Sequence, residues 1–260
     1  MNHSLTASSP VSKRLSPRKM AFITGTLLLT STGFICRILG FFYRIFMSRT
    51  IGAEGLGIYN MVHPIFSICF AVCAGSIQTA LSQYVAANQT RGRAVFRTGL
   101  VIAMGMSFLL AWVIYGNAGF LAEKLLLEPR CAPYLPVMAV SVPFAALHAC
   151  INGYYYGMQK ARVPAFSQVA EQVIRMGAVF LIASIWLESG RQITVSLAVY
   201  GHLIGEMASA VFTVFCLGFF PPCKDGDSRR APAIPLSFGA TAAPLMALAL
   251  PLMGNRLILN

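Results

Sequence analysis

The chain has 260 residues, 57% of them hydrophobic and only 11% charged, with a mean hydropathy of +0.68. Soluble domains carry about 25% charged residues, so this composition excludes an ordinary soluble globular protein and points to an integral membrane one. The net charge of +12 would suit a nucleic-acid ligand, but it is spread over short loops between apolar stretches. That is a topology signal, and nucleic acid is set aside as a partner.

Residues 1–19 are Ser-rich and basic and are expected to be disordered. Lys13 to Lys19 followed by AFITGTLLLTSTGF looks like the start of a signal peptide. The apolar pattern, however, runs past any small-residue cleavage site, so an uncleaved first helix is expected. Spans follow near 21–47, 58–86, 98–116, 134–156, 166–187 and 193–219, and a seventh starts near 236 and is still running at Asn260. Each is long enough for a hydrocarbon core of about 30 Å. An isolated span must satisfy its own backbone hydrogen bonds, so the predicted class is an all-α integral membrane fold.

The loops NQTRGRAVFR, QKARVP and PPCKDGDSRRAPAIP are basic. With the N-terminus inside, twelve Lys and Arg fall on the cytoplasmic side, against Arg49, Lys124, Arg130 and Arg191 outside. This bias predicts a cytoplasmic N-terminus, and the basic loops are placed to meet anionic lipid. The loop after the sixth span is the longest and reads as a linker. The expected organisation is a basic N-terminus (1–19), a six-helix lobe (20–220), a linker (221–235) and an incomplete seventh helix (236–260). The outer segment GFLAEKLLLEPR is expected to form a short interfacial helix.

Charged residues inside the spans carry the functional reading. A guanidinium at the bilayer centre costs about 2.5–3.5 kcal/mol, and its fork matches phosphate. If the first helix enters near Phe22, Arg37 lies about 22 Å along it, Arg44 about 33 Å along it near the outer interface, and Arg49 in the outer loop. Arg37 and Arg44, seven residues apart, share a face to within about 20°. In the fifth span, Glu171 and Arg175 stand at i, i+4 and can pair. The sixth carries His202, Glu206, Ser209 and Thr213 as one stripe, and the second offers His63 and Ser67. Such residues either line a cavity or hydrogen-bond helices together.

Glu171 and Glu206 are the only acids within the spans, so a paired-carboxylate site requires those two to meet. No phosphate loop, GxSxG elbow or HExxH is present. The seven cysteines are scattered and read as small buried hydrophobes. No enzymatic activity, metal or cofactor is expected.

The run GTLLLTSTGFICRILGFFYRIFMSRTIGAEGLGIYNMVHPIF resembles the N-terminal signature of the stage V sporulation protein B and polysaccharide-biosynthesis group. That group belongs to the multidrug/oligosaccharidyl-lipid/polysaccharide exporter superfamily and is related to the lipid II flippases. IPLSFGATAAPLMALALPLMGNRLILN is similar to the start of its seventh helix. The resemblance implies the N-terminal lobe of a two-lobe exporter with a central cavity open alternately to each side. It also implies a flippase-type activity on lipid-linked, pyrophosphate-bearing cell-wall or polysaccharide precursors in the plasma membrane. In the lipid II flippases, basic residues of the first helix contribute to a cationic cavity. Arg37 and Arg49 match those positions, whereas Arg44 stands where that branch has an acid and Tyr43 where it has another arginine. Arg175 and Arg256 complete the candidate phosphate contacts.

The resemblance covers one lobe and the opening of a second, so a second chain supplying the missing lobe is an expected partner. Two alternatives stand beside this reading. One is a multidrug cation antiporter of the same superfamily, which would need a membrane carboxylate such as Glu206. The other is a truncated fragment that keeps the fold without transport.

Overall fold

The structure, a computed structural model, describes residues 17–222 and 238–259. The expectations for residues 1–16 and for most of the linker fall outside the described residues. Regular structure among the described residues is helical throughout. The main elements are α1 (Pro17–Phe70), α2 (Ser76–Ala87), α3 (Gly92–Gly116), α4 (Leu135–Gly157), α5 (Arg162–Glu188), α6 (Ser196–Phe219) and α7 (Phe238–Leu259). Among the described residues, six continuous helical stretches are long and apolar enough to cross a membrane. The first, Ile23–Ala87, has 65 residues, about 97 Å of helix, and so suffices for two crossings. This is an all-α multi-pass membrane fold.

The two crossings are separated by a single non-helical residue, Gly52, at φ 75° and ψ 173°. That region is open essentially to glycine alone. The helix therefore runs on through Arg49, which the sequence reading placed in a loop, and breaks three residues later. It likewise begins at Pro17, inside the stretch expected to be disordered. A Cβ at position 52 would meet nothing within 4 Å, so the cost of Gly52→Ala is purely conformational. Thermal unfolding in detergent should show a loss of about 1–3 kcal/mol. An unchanged midpoint would mean that the turn is not held in this conformation.

At the end of the bundle that carries Gly52, Arg130 grips the turn. Its guanidinium bonds Glu128 in the bidentate manner, Nε to Oε1 at 2.9 Å and Nη2 to Oε2 at 3.1 Å, and Nη1 donates to Glu54 just past Gly52. The hydrogen bonds from Arg130 hold the Glu128 carboxyl below its usual range. The bridge is thus present above ordinary carboxylate pH and is lost as pH falls through that lowered value. The segment predicted to be an interfacial helix forms helical turns at Ala118–Phe120 and Leu121–Leu125.

Lipid gives helices no hydrophobic reason to associate, so close packing and small residues do the work. In α4 the sequence Gly153-Tyr-Tyr-Tyr-Gly157 lies against α2. Cβ atoms there would stand 2.8 Å from the Gln78 carbonyl oxygen and 2.6 Å from Val85 Cβ. In α6, Gly201 and Gly205 face α5, where a Cβ would stand 2.2 Å from Val179 Cγ2 and 2.8 Å from Arg175 Nε. One turn further, Ser167 and Ser209 share a 2.8 Å hydrogen bond. The helices assemble as α3 on α4, α2 on α4, α4 on α6, α6 on α5, and α5 on the first arm of α1, with α7 laid along α2. Phe34, Phe41, Trp112, Leu181 and Phe215 remain exposed on the outer surface. Cys69, Cys73, Cys131, Cys150 and Cys216 are buried and free, as their apolar surroundings in sequence suggested.

Between α1 and α2 the helix widens into a π-turn, Ala71–Gly75, in which Ser76 Oγ donates to the Ala71 carbonyl at 2.6 Å. Arg256 of α7 seats against this turn. Its Nη2 donates to Thr79 Oγ1 at 3.2 Å, and a Cβ on residue 75 would stand 2.3 Å from Nη1.

Candidate functional site: a buried charge cluster beneath a groove

Three helices contribute the charged centre. On α5, Glu171 and Arg175 pair along one face through a hydrogen bond from Arg175 Nη2 to Glu171 Oε1. On α6, Glu206 lies at the middle of its stripe with a side chain only 6% exposed. On α4, His148 reaches it, Nε2 to Oε2 at 2.9 Å. Arg175 Nη2 stands 3.7 Å and His202 Nε2 3.9 Å from the other Glu206 oxygen. The two acids of the spans therefore do meet, bridged by a guanidinium. With both imidazoles neutral, one cation and two carboxylates leave the cluster at −1, and a proton on one histidine brings it to zero.

His202 is held edge-on between Phe66, at 4.4 Å between ring centroids, and His63, at 5.6 Å. His63 in turn meets Ser67 at 3.3 Å. One ring nitrogen of His148 and one carboxylate oxygen each of Glu171 and Glu206 lie within 4.8 Å of one another, a donor set of the kind that takes a cation. Arg175, bonded to one carboxylate and 3.7 Å from the other, is itself the cation at that place.

Above the cluster a groove of about 320 Å³ runs between the two arms of α1 and α5. Its lining includes Tyr43, Arg44, Asn60, His63, Gln172 and Arg175, so Arg175 belongs to both groove and cluster. Two polar atoms on groove residues are buried without a protein hydrogen-bond partner, Tyr43 Oη and Arg175 Nε. The hydroxyl lies beside Gly201, where a Cβ would stand 3.5 Å away.

The sequence candidates divide by location. Glu171, Arg175, His202 and Glu206 come together in the cluster. Arg44 lines the groove and is exposed. Arg37 is exposed two turns away on the same stripe of α1 and does not line the groove. Arg49 is exposed about 140° around the helix from Arg44. Arg256 is at the π-turn, apart from both. Among the described residues, no carboxylate pairs with Arg37, Arg44 or Arg49; the described ion pairs fall at the Arg130 clamp and in the cluster. The positive charge of the open face thus comes from α1, while Arg175 is neutralised from within. Sequence reasoning passed over His148, an isolated histidine in an apolar run whose partner lies 58 residues away. Its only sequence signal was a titratable side chain in mid-span.

Three kinds of similarity accompany this geometry. A family model described as polysaccharide biosynthesis protein matches residues 22–260. The stage V sporulation protein B of Bacillus subtilis (strain 168) is 30% identical over 248 residues, covering 93% of this chain and 47% of that protein. The lipid II flippase MurJ of the same organism is 23% identical over 206 residues, covering 73% of this chain and 38% of that protein. A solved structure of a multidrug resistance MATE family transporter of the MOP superfamily, in an outward-facing conformation, superposes with a TM-score of 0.68 at 15% identity, over 92% of this chain and 53% of that one. The likeness to that structure is one of fold. The chain spans about half the length of these proteins or less. It belongs to the polysaccharide biosynthesis protein family.

Proposed function

We propose that this chain forms one lobe of a flippase-type transporter that moves lipid-linked cell-wall or polysaccharide precursors across the plasma membrane, with its N-terminus in the cytoplasm. The second lobe, whether further along a longer chain or on a separate one, closes the open face of α1 into a cavity. The observation that carries this reading is the stripe of unpaired guanidinium on that face. Arg44 stands at the groove and Arg37 two turns away, and among the described residues no carboxylate pairs with either. A cation left unpaired at membrane depth is costly, and a passing pyrophosphate offsets that cost while the lipid tail stays in the bilayer. Arg44 binds the phosphate, Tyr43, Asn60 and Gln172 supply neutral hydrogen bonds, and the cluster below fixes Arg175 at the floor. Similarity to a lipid II flippase, 23% identical over 206 residues, supports the substrate class.

The test is translocation of a labelled lipid-linked disaccharide pyrophosphate in proteoliposomes carrying the transporter with both lobes. Arg44→Ala should slow it by about tenfold or more, the loss of one charged hydrogen bond. Arg191→Ala, exposed outside the groove, should leave the rate unchanged. Equal rates for wild type and Arg44→Ala would refute the assignment.

The multidrug antiporter reading has one observation in its favour, the convergence of Glu171 and Glu206. Arg175 between them opposes a cationic cargo. Drug resistance conferred on a sensitive host and lost in Glu206→Gln would establish that reading instead.

A further inference from the structure

A second cavity lies at the opposite end of the bundle from the Arg130 clamp, where the loops are basic. It has a volume of about 210 Å³ and is lined by Arg93, Phe96 and Arg97 of α3, Tyr154 of α4, Leu217 of α6 and the Pro221–Pro222 segment that follows α6. Its walls are fixed. Phe96 and Tyr154 stack at 4.9 Å with their planes 21° apart. Tyr155 Oη donates to the Phe220 carbonyl at 2.9 Å, which ties the chain after α6 back onto α4 and sets the two prolines in place. Gly92 lets α3 approach so closely that a Cβ there would meet the Tyr154 ring at 3.3 Å. Arg93 and Arg97, one helical turn apart, place two guanidinium groups on the same side of the cavity, and its rim is exposed at Arg97 and Pro221.

Arg97, exposed on the rim one helical turn from Arg93, gives this end of the cavity its positive charge. The cavity therefore has two chemically distinct halves, a cationic edge at the membrane surface and an aromatic and aliphatic wall leading away from it. A phosphodiester on a lipid matches both halves, with its headgroup at the arginines and the first part of an acyl chain on Phe96 and Leu217. Free phosphate matches only the first. Basic pockets between transmembrane helices are characteristic of anionic-lipid recognition.

We propose that this cavity is a binding site for an anionic phospholipid, separate from the groove beside α1 and independent of the reading given to that groove. Bound there, the lipid bridges α3, α4 and the end of α6 where they meet the membrane surface.

The test uses the full chain in nanodiscs of phosphatidylcholine, titrated with headgroup-labelled phosphatidylglycerol. Saturable binding is expected. Arg97→Gln, an exposed position, should weaken it about fivefold and the Arg93→Gln/Arg97→Gln pair roughly 25-fold, at about 1 kcal/mol per basic residue. Arg191→Gln at the far end should have no effect. Unlabelled phosphatidylglycerol should displace the probe, and inorganic phosphate should not. Affinity unchanged in Arg97→Gln, or labelled phosphatidylcholine binding as tightly, would overturn the proposal. Displacement by inorganic phosphate as efficient as by lipid would also overturn it, assigning the arginines to a soluble anion.

Discussion

Glu206→Ala is expected to be the most destabilising side-chain truncation at the site, by about 3 kcal/mol. His148 Nε2 bonds Glu206 at 2.9 Å, and Arg175 and His202 stand at 3.7 and 3.9 Å from its other oxygen, all in a buried setting. Removing one partner of a buried ion pair costs about 3–5 kcal/mol, because the charge left behind has lost both its partner and water. Arg175 retains Glu171, which puts the loss at the low end. His148 Nε2 becomes a buried polar atom without its partner, which adds to the loss. The effect can be read as the thermal midpoint at which buried Cys73 and Cys150 become reactive to a thiol probe in detergent. Glu206→Gln, which keeps the shape and an acceptor for His148, should fall between wild type and the alanine variant. If Glu206→Ala leaves the midpoint where it was, the cluster does not hold α4, α5 and α6 together.

The second large effect is steric. At Gly157 a Cβ would stand 2.6 Å from Val85 Cβ and 2.8 Å from the Ser82 carbonyl oxygen, and at Gly153 2.8 Å from the Gln78 carbonyl oxygen. These neighbours include backbone, which cannot rotate away, so the helices must separate. Overpacking of this sort costs typically about 1–3 kcal/mol. It should be larger here because α4 also packs on α3 and α6. Gly157→Val is expected to abolish the folded chain, measured as monodisperse protein recovered in detergent, and Gly153→Ala to lower its recovery. Gly177→Ala and Gly218→Ala, where a Cβ meets nothing within 4 Å, should behave as wild type. Equal recovery for all four would show that α2 and α4 do not pack closely.

The helices were legible because an apolar run of membrane length leaves the backbone no other choice. Within a helix, fixed spacing was equally informative. The Glu171–Arg175 pair and the His202–Glu206–Ser209–Thr213 stripe both follow from 3.6 residues per turn, and His202, Glu206, Ser209 and Thr213 are all buried. What spacing cannot give is azimuth relative to other helices. Arg37 shares a stripe with Arg44 by that spacing, but its exposed position depends on where α5 docks. His148 and the Arg256–Thr79 contact depend on partners 58 and 177 residues away, and no local pattern encodes those. The break at Gly52 rather than before Arg49 was missed for a different reason. Polar residues near a span's end suggest a loop, yet nothing before residue 52 obliges the helix to stop. The close α2–α4 contact was written openly as Gly153-Tyr-Tyr-Tyr-Gly157, a small-xxx-small pattern, and was overlooked among many glycines.

The central claim is that the open face of α1 holds a phosphate through Arg44, with Arg37 on the same stripe. Its most direct test is equilibrium binding of a polyprenyl pyrophosphate to the purified chain in nanodiscs, compared with the parent polyprenol. The pyrophosphate should bind more tightly, and its advantage should shrink about tenfold or more in Arg44→Ala and further in Arg37→Ala/Arg44→Ala. Equal affinities for the two lipids, or a pyrophosphate advantage untouched by the double substitution, would contradict it.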